Sequence, residues 1–358
     1  MEVKDGIIYF KNSTAFEDAM NYFHNIGIEE THKMIGQLPN FKGLIEIKPT
    51  DIEDINRLNK ALWKEDQQII STSQTNSTSE EDDVLLPGET IYYDDFLVHD
   101  PFYEAVLNNY REVMIADLVI RNTEFGVFAY ELPNKQNFEN VYETSPFDNA
   151  LQNNYTSYET IDEIELQVLL PDIYLLNRDI ELFKNPPTYN VKPSCNKGTL
   201  ARNGFGQLQD CDIIQMDKRN RIIATVYAQN LGVYSSVGMT SRRQRKFLGI
   251  WWNTTAERLS VEGEGYYSTK YPSGLIYTNY PYNRIQTRKD QLSTKKVESL
   301  WPANSWHTGQ IGCKFPIPSF DKCKLGFKPA KDYEFKKHES DHDGWHNGRK
   351  YTSKIKHN

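Results

Sequence analysis

The 358-residue chain lacks most of the short patterns that announce a chemistry. It has no GxSxG elbow, no P-loop, no GxGxxG turn, and no Cys/His pair in the setting a cysteine nucleophile needs. No apolar run approaches the roughly 20 residues that span a bilayer as a helix. The four cysteines form no CxxC pair, which excludes the common structural zinc knuckles. The start, MEVKDGIIYF, has neither a basic n-region nor an apolar h-region, so export would require a leader or an anchoring cysteine outside this numbering.

Positive charge is also missing over long stretches. Glu65 to Tyr110 holds 11 acidic residues and no Lys or Arg, and Gln136 to Asn177 is again acid-only. Residues 1–191 carry 13 Lys+Arg against 35 Asp+Glu, a net of -22, whereas 192–358 carry 28 against 14, a net of +14. This split opposes a uniformly basic nucleic-acid binder. It suggests two parts able to attract each other within one copy or between copies, or simply two differently solvated surfaces.

The hydropathy pattern predicts an α+β protein. Gly6 to Phe10 reads as a strand, and Thr14-Ala-Phe-Glu17 as a capping box opening a helix with Phe16, Met20 and Phe23 on its buried face. A helix over Glu29 to Gln37 follows, and another begins at Thr50. Residues 71–83, STSQTNSTSEEDD, are too poor in apolar groups to offset their ordering entropy and read as a mobile loop or linker. Asp100 caps a short helix with Pro101 in its first turn. A small antiparallel meander follows over Val113–Ile115, Leu118–Arg121 and Val127–Leu132.

A helical run is expected near Thr160 to Leu170, and Pro186-Pro187 marks a boundary. Beyond it, short runs at 213–215, 221–228, 234–239, 245–252 and 258–264 alternate with turn signals and predict a β-sandwich-like antiparallel domain. The expected organisation is an acidic α+β domain over 1–186, a basic β-rich domain over 187–312, and a Cys/His-bearing C-terminal extension over 313–358.

Two segments carry a resemblance. Asp-Pro, Val-Leu-Asn and Arg-Glu-Val-x-Ile within Asp100 to Leu132, and VYAQNLGVYSSVGMTSRRQRKFLGIWW within Arg221 to Arg258, resemble parts of uncharacterised secreted or surface-anchored proteins of Bacteroidetes-type bacteria. The resemblance implies an extracellular or cell-surface location and brings no mechanism. A cytoplasmic location stays open from the residues alone.

Three sets of residues are candidates for function. Arg242, Arg243 and Arg245 precede Trp251 and Trp252, with Tyr266 and Tyr267 downstream. Cations beside aromatics suit an anionic polysaccharide or nucleic acid, the latter disfavoured by the overall acidity; the alternative is a hairpin turn with solvated arginines. His338-Glu-Ser-Asp-His342 fits HExxH, with His346 nearby. Its charged surroundings argue for an exposed polar tail rather than a catalytic zinc helix. Cys195 with Cys211 and Cys313 with Cys323 are the favoured local disulfides, four reduced thiols being the alternative.

No catalytic residue and no cofactor is expected. Zinc on the three histidines and calcium on the acid-only stretch are the metal alternatives considered, although no DxDxDG loop is present. The function expected is binding of a protein or polysaccharide at the cell surface. The alternatives are an assembly subunit docking acidic half on basic half, and a metal-dependent hydrolase.

Overall fold

The computed structural model describes residues 1–51, 53–54, 91–92, 98–123, 126–144, 173–177, 201–202, 208–247, 250–270, 283–294, 296–300, 306–316, 323–328, 330 and 332–357. Most of the helix expected from Thr50, the 71–83 linker, the 160–170 run, the Pro186-Pro187 boundary and Cys195 lie outside these residues.

The chain opens with β1 (Glu2–Lys4) and β2 (Ile7–Phe10). Asp5 and Gly6 join them with φ of 49° and 75°. An Asp-Gly pair suits such a turn because glycine takes positive φ without a Cβ penalty. Helix α1 (Ser13–Ile26) follows, capped by Asn12, whose side chain accepts from the amide of Ala15. The cap therefore lies two residues before the expected Thr14. Phe16, Met20 and Phe23 are buried as their spacing predicts. Gly27 breaks the helix at φ 85°, and α2 (Ile28–Ile35) turns back against it.

Helix α3 (Pro101–Ala105) begins where expected, with the Asp100 carboxylate accepting from the amides of Phe102 and Tyr103 at 2.9 and 3.1 Å. It leads into β4 (Glu112–Ile115), β5 (Leu118–Thr123) and β6 (Gly126–Glu131), the predicted meander. Helix α4 (Lys135–Thr144) packs Phe138 on Tyr130 and Phe128. With β7 (Ile173–Asn177) the strands form one sheet in the order β1-β2-β4-β5-β6-β7, in which β2 runs parallel to β4.

The β-rich part holds two larger sheets. The first is built on β9 (Leu208–Gln215), β10 (Asn220–Asn230), β11 (Tyr234–Phe247) and β12 (Ile250–Thr254). Two-residue strands β3 (Ile91–Tyr92) and β8 (Ala201–Arg202) lie at its ends. Strand β13 (Ala256–Lys270) starts the second sheet, paired on one side with β14 (Asn283–Thr294). Strands β15 (Lys296–Leu300) and β16 (Trp306–Thr308) return to β11. A separate ribbon pairs β17 (Gln310–Pro316) with β18 (Cys323–Lys328).

The C-terminal residues do not form an appended tail. β19 (Asp332–His346) pairs with β13 along its length, and β20 (Arg349–His357) completes the second sheet as β14-β13-β19-β20. Asn347 and Gly348, with φ of 51° and 71°, make the hairpin turn between them.

Among the described residues, two buried clusters join several of these elements. One joins Phe16, Met20, Phe102, Tyr103, Val113 and Ile120 to Leu231, Val233, Tyr234 and Trp252, so the acidic part packs on the basic part through apolar and aromatic groups. The other joins Ala224, Val226, Ala228, Val237 and Met239 of the first large sheet to Leu259, Val261, Tyr267, Tyr333 and Ile355 of the second. Lys42 pairs with Asp51 and Asp54, Lys135 with Glu112, and Lys350 with Asp343. These ion pairs stay within their own half of the chain.

Candidate functional site

The Arg242 to Trp252 block does not form the exposed platform expected of it. Arg242–Lys246 continue β11, and the turn comes only after Phe247. Arg242, Arg245 and Trp252 are buried, the indole N–H of Trp252 donating to the Phe247 carbonyl at 3.1 Å. Tyr267 belongs to the inter-sheet core. Arg243 donates to the Thr255 carbonyl and to Asn220 Oδ1, each at 2.8 Å. Burial pulls its pKa down, while Glu257 and Asp217 work against that shift. Trp251 and Tyr266 alone of this set keep half-exposed rings together with Arg243. Successive strand residues face opposite ways, which separates Trp251 from Trp252.

The half-exposed rings carry cations. Arg221 lies 4.1 Å from the centre of the Trp251 ring, and Lys337 5.1 Å from that of Tyr266. Across the second sheet Arg258, Trp345 and Lys350 are register neighbours on β13, β19 and β20. Arg258 and Lys350 stand 4.5 and 5.4 Å from the Trp345 ring, and Arg349 stands 5.4 Å from that of Tyr351. Trp345, Tyr351 and these cations had no place among the sequence candidates. A period of two in 338–346, ending at Asn347-Gly348, was the signal that could have found them, since it predicts a hairpin with Trp345 on the polar face.

The HExxH string lies on β19, so it cannot present its histidines as one helical turn does. Four strand residues span about 13 Å, against the roughly 6 Å that four residues rise in the helix the motif is read on. The three histidines instead have separate partners. His338 Nε2 meets Asp210 at 3.3 Å, and His346 Nε2 meets Asp217 at 3.0 Å. For Asp217, burial raises the carboxyl pKa, but the amides of Arg219 and Asn220 and the His346 contact outweigh it and hold the carboxyl low. No group of three or more metal-ligating side chains occurs among the described residues. His338 and His342 are also buried rather than part of an exposed tail.

His342 lies between two hydroxyls, Ser241 Oγ on Nδ1 and Ser340 Oγ on Nε2, each at 2.9 Å. Ser241 has one proton and donates it to the Ser260 carbonyl at 3.1 Å, so its oxygen accepts from Nδ1–H. Nε2 is then bare and accepts from Ser340. Burial disfavours the charged ring and pushes its pKa down to about 4, against a hydrogen bond to the Thr240 backbone that favours the proton.

A third constellation joins the two halves. The Tyr234 hydroxyl donates to Asp100 Oδ2 at 2.8 Å and so accepts from His24 Nε2–H at 3.1 Å. Tyr103 stacks on Tyr234 at 5.0 Å, and Trp306 stacks on His24 at 4.8 Å. Burial lowers the His24 pKa, with the Asp100 charge opposing. Tyr234 is 134 positions from Asp100 and 210 from His24, and no sequence pattern links residues so far apart.

No family model matches the chain, and no curated protein matches it. Among solved structures there is similarity at a low level to a DUF4848 family protein from Bacteroides thetaiotaomicron, 10% identical, with a TM-score of 0.20 over 99% of this chain and 98% of that one. A likeness of this size carries no argument about fold or function. No described helix is long and apolar enough to cross a membrane.

Proposed function

We propose that the protein is a non-enzymatic binding protein, secreted or held at the cell surface, whose ligand is a protein or a glycan. The observation that supports this reading is the set of cations resting on half-exposed rings, Arg221 on Trp251, Arg258 and Lys350 on Trp345, and Lys337 on Tyr266. Rings that hold a guanidinium or ammonium group leave its charge available to an anionic group, and their edges offer apolar contact to a sugar or a peptide. The two packed sheets would act as a sandwich-like support. Disulfides Cys195–Cys211 and Cys313–Cys323 belong to the same proposal. Cys211 is not a free thiol, and β17 and β18 bring Cys313 and Cys323 onto neighbouring strands.

The test is a glycan array and a surface-protein panel probed with the full chain and with Trp345→Ala and Trp251→Ala. A specific ligand whose affinity falls at least tenfold in one variant is expected; binding equal in all three forms would overturn this placement of the site. The net charges of -22 and +14 favour a second reading, an assembly subunit docking acidic half on basic half. Oligomers that dissociate as salt rises, measured by light scattering, are its expected signature.

A further inference from the structure

We propose that the buried imidazole-hydroxyl layer between β11 and β19 is an acid-sensitive latch, which holds the two large sheets together while His342 is neutral and releases them when it takes up a proton. The inference stands on the packing of the β-rich part and does not rest on the binding reading above.

The geometry sets the proton count. Ser241 lies on the first sheet, and Ser340 and His342 on the second. The chain Ser340 O–H to Nε2, Nδ1–H to Ser241 Oγ, and Ser241 O–H to the Ser260 carbonyl therefore crosses between them. A second ring proton makes Nε2 a donor, so the Ser340 hydroxyl must turn its own proton away to accept, and the added charge sits in a layer that solvent does not reach. The surrounding core is thin, with Ala224, Ala228 and Ala256 among its members. At Gly344, two residues beyond His342, a methyl group would meet the Ile222 side chain at 2.1 Å, so the sheets are in close contact there.

The charged groups around the ring come from several strands. β9 supplies Asp210, against His338, and Asp212, which accepts from Ser353. β19 supplies His338 and Asp343, and β20 supplies His357, stacked on His338 at 5.7 Å. On β11 the charged residues nearest Ser241 along the chain are Arg242 and Arg243. β10 and β13 face the layer with Ala224, in register with Ser241, and Val261, in register with His342. Burial opposes the imidazolium and outweighs the Thr240 backbone, which hydrogen-bonds the ring, and the Asp343 and Asp212 charges, all of which favour it, while His338 adds to the opposition.

The sign follows from linkage. The folded ring, near 4, binds its proton less readily than the unfolded one, near 6.5. The stabilisation is therefore complete above 6.5 and is lost as pH falls from there through about 4, the unfolding constant gaining roughly 300-fold from this group once pH is well below 4. The experiment is urea unfolding of the full chain at pH 7, 6, 5 and 4.5, beside His342→Gln, whose amide can donate and accept but does not titrate. We expect the native protein to lose stability more steeply, by up to about tenfold in the unfolding constant per pH unit. Equal slopes in the two proteins would overturn the latch. Should His342→Gln not fold, NMR titration of the His342 ring in the native protein decides. A ring still neutral at pH 5.5 supports the proposal, and a midpoint near 6.5 in the intact fold refutes it.

Discussion

Two sheets in this molecule bury polar side chains, and they do so in opposite ways. On the N-terminal sheet the fully buried Glu112 sits among donors. Tyr130 Oη donates to it at 2.8 Å, Lys135 at 2.7 Å and Asn108 Nδ2 at 3.0 Å, with Arg121 at 3.5 Å and Glu139 closing the group on the other side of Arg121. Between the two large sheets His342 avoids charge and is satisfied by serines. Burial and the neighbouring carboxylate raise the Tyr130 pKa, so Tyr130 remains a donor at all ordinary pH. The first cluster is organised by Coulombic pairing and fails when a partner is removed. The second is organised by matching donors to acceptors and fails when a proton is added.

The comparison is broken most directly at Glu112. Replacing it with Ala leaves Arg121, itself buried, and Lys135 without their shared carboxylate. Truncating one member of a buried pair costs about 3–5 kcal/mol. We expect Glu112→Ala to lose stability by that amount at pH 7 in urea unfolding, clearly more than His342→Gln at the same pH. If the two cost the same, charge pairing is not what distinguishes the regions.

A smaller effect is expected at Gly344, which sharpens the claim that the latch works by holding the sheets close. An added methyl group would lie 2.1 Å from Ile222 Cδ1 and 3.1 Å from Leu259 Cδ2. Ile222 is fully buried and has little room to yield. Overpacking of this kind costs about 1–3 kcal/mol. Gly344→Ala should lower the thermal midpoint while leaving the N-terminal cluster intact, which amide exchange of β4 and β5 would report. Faster exchange confined to β4 and β5 would place the strain elsewhere.

Much of the N-terminal part was legible because its signals are local. Asp100 with Pro101 specifies a cap and first turn, and Phe16, Met20 and Phe23 sit one face apart on α1. Thr14 was the wrong cap because the helix starts earlier: Asn12 accepts from the Ala15 amide, and Thr14 then lies inside the first turn. The C-terminal hairpin carries a turn signal at Asn347-Gly348 but was harder to read for a different reason. Its buried face is His338, Ser340, His342 and Gly344, so the inward positions are polar and the alternation does not read as hydrophobic. The arginines of β11 misled in the reverse direction, since Arg242 and Arg245 look solvated in sequence and are buried in the fold. The partners that decide both cases, such as Asp210 for His338, lie 128 positions away.

The smallest effect is expected on the outward side of the same hairpin, and it isolates what burial contributes. Lys354 meets Asp341 at 3.2 Å and Lys356 meets Glu339 at 3.1 Å, directly across β19 and β20 from one another. These pairs join β20 to β19, the strand that carries His342, and they face water, where solvent screens the attraction and holding long side chains still costs entropy. Lys354→Ala should therefore change stability by no more than about 0.5 kcal/mol, with a difference that vanishes in high salt. A loss comparable to Gly344→Ala would mean that β20 is held by its charged outer face, and that the buried layer adds less to the joining of the sheets than its geometry implies.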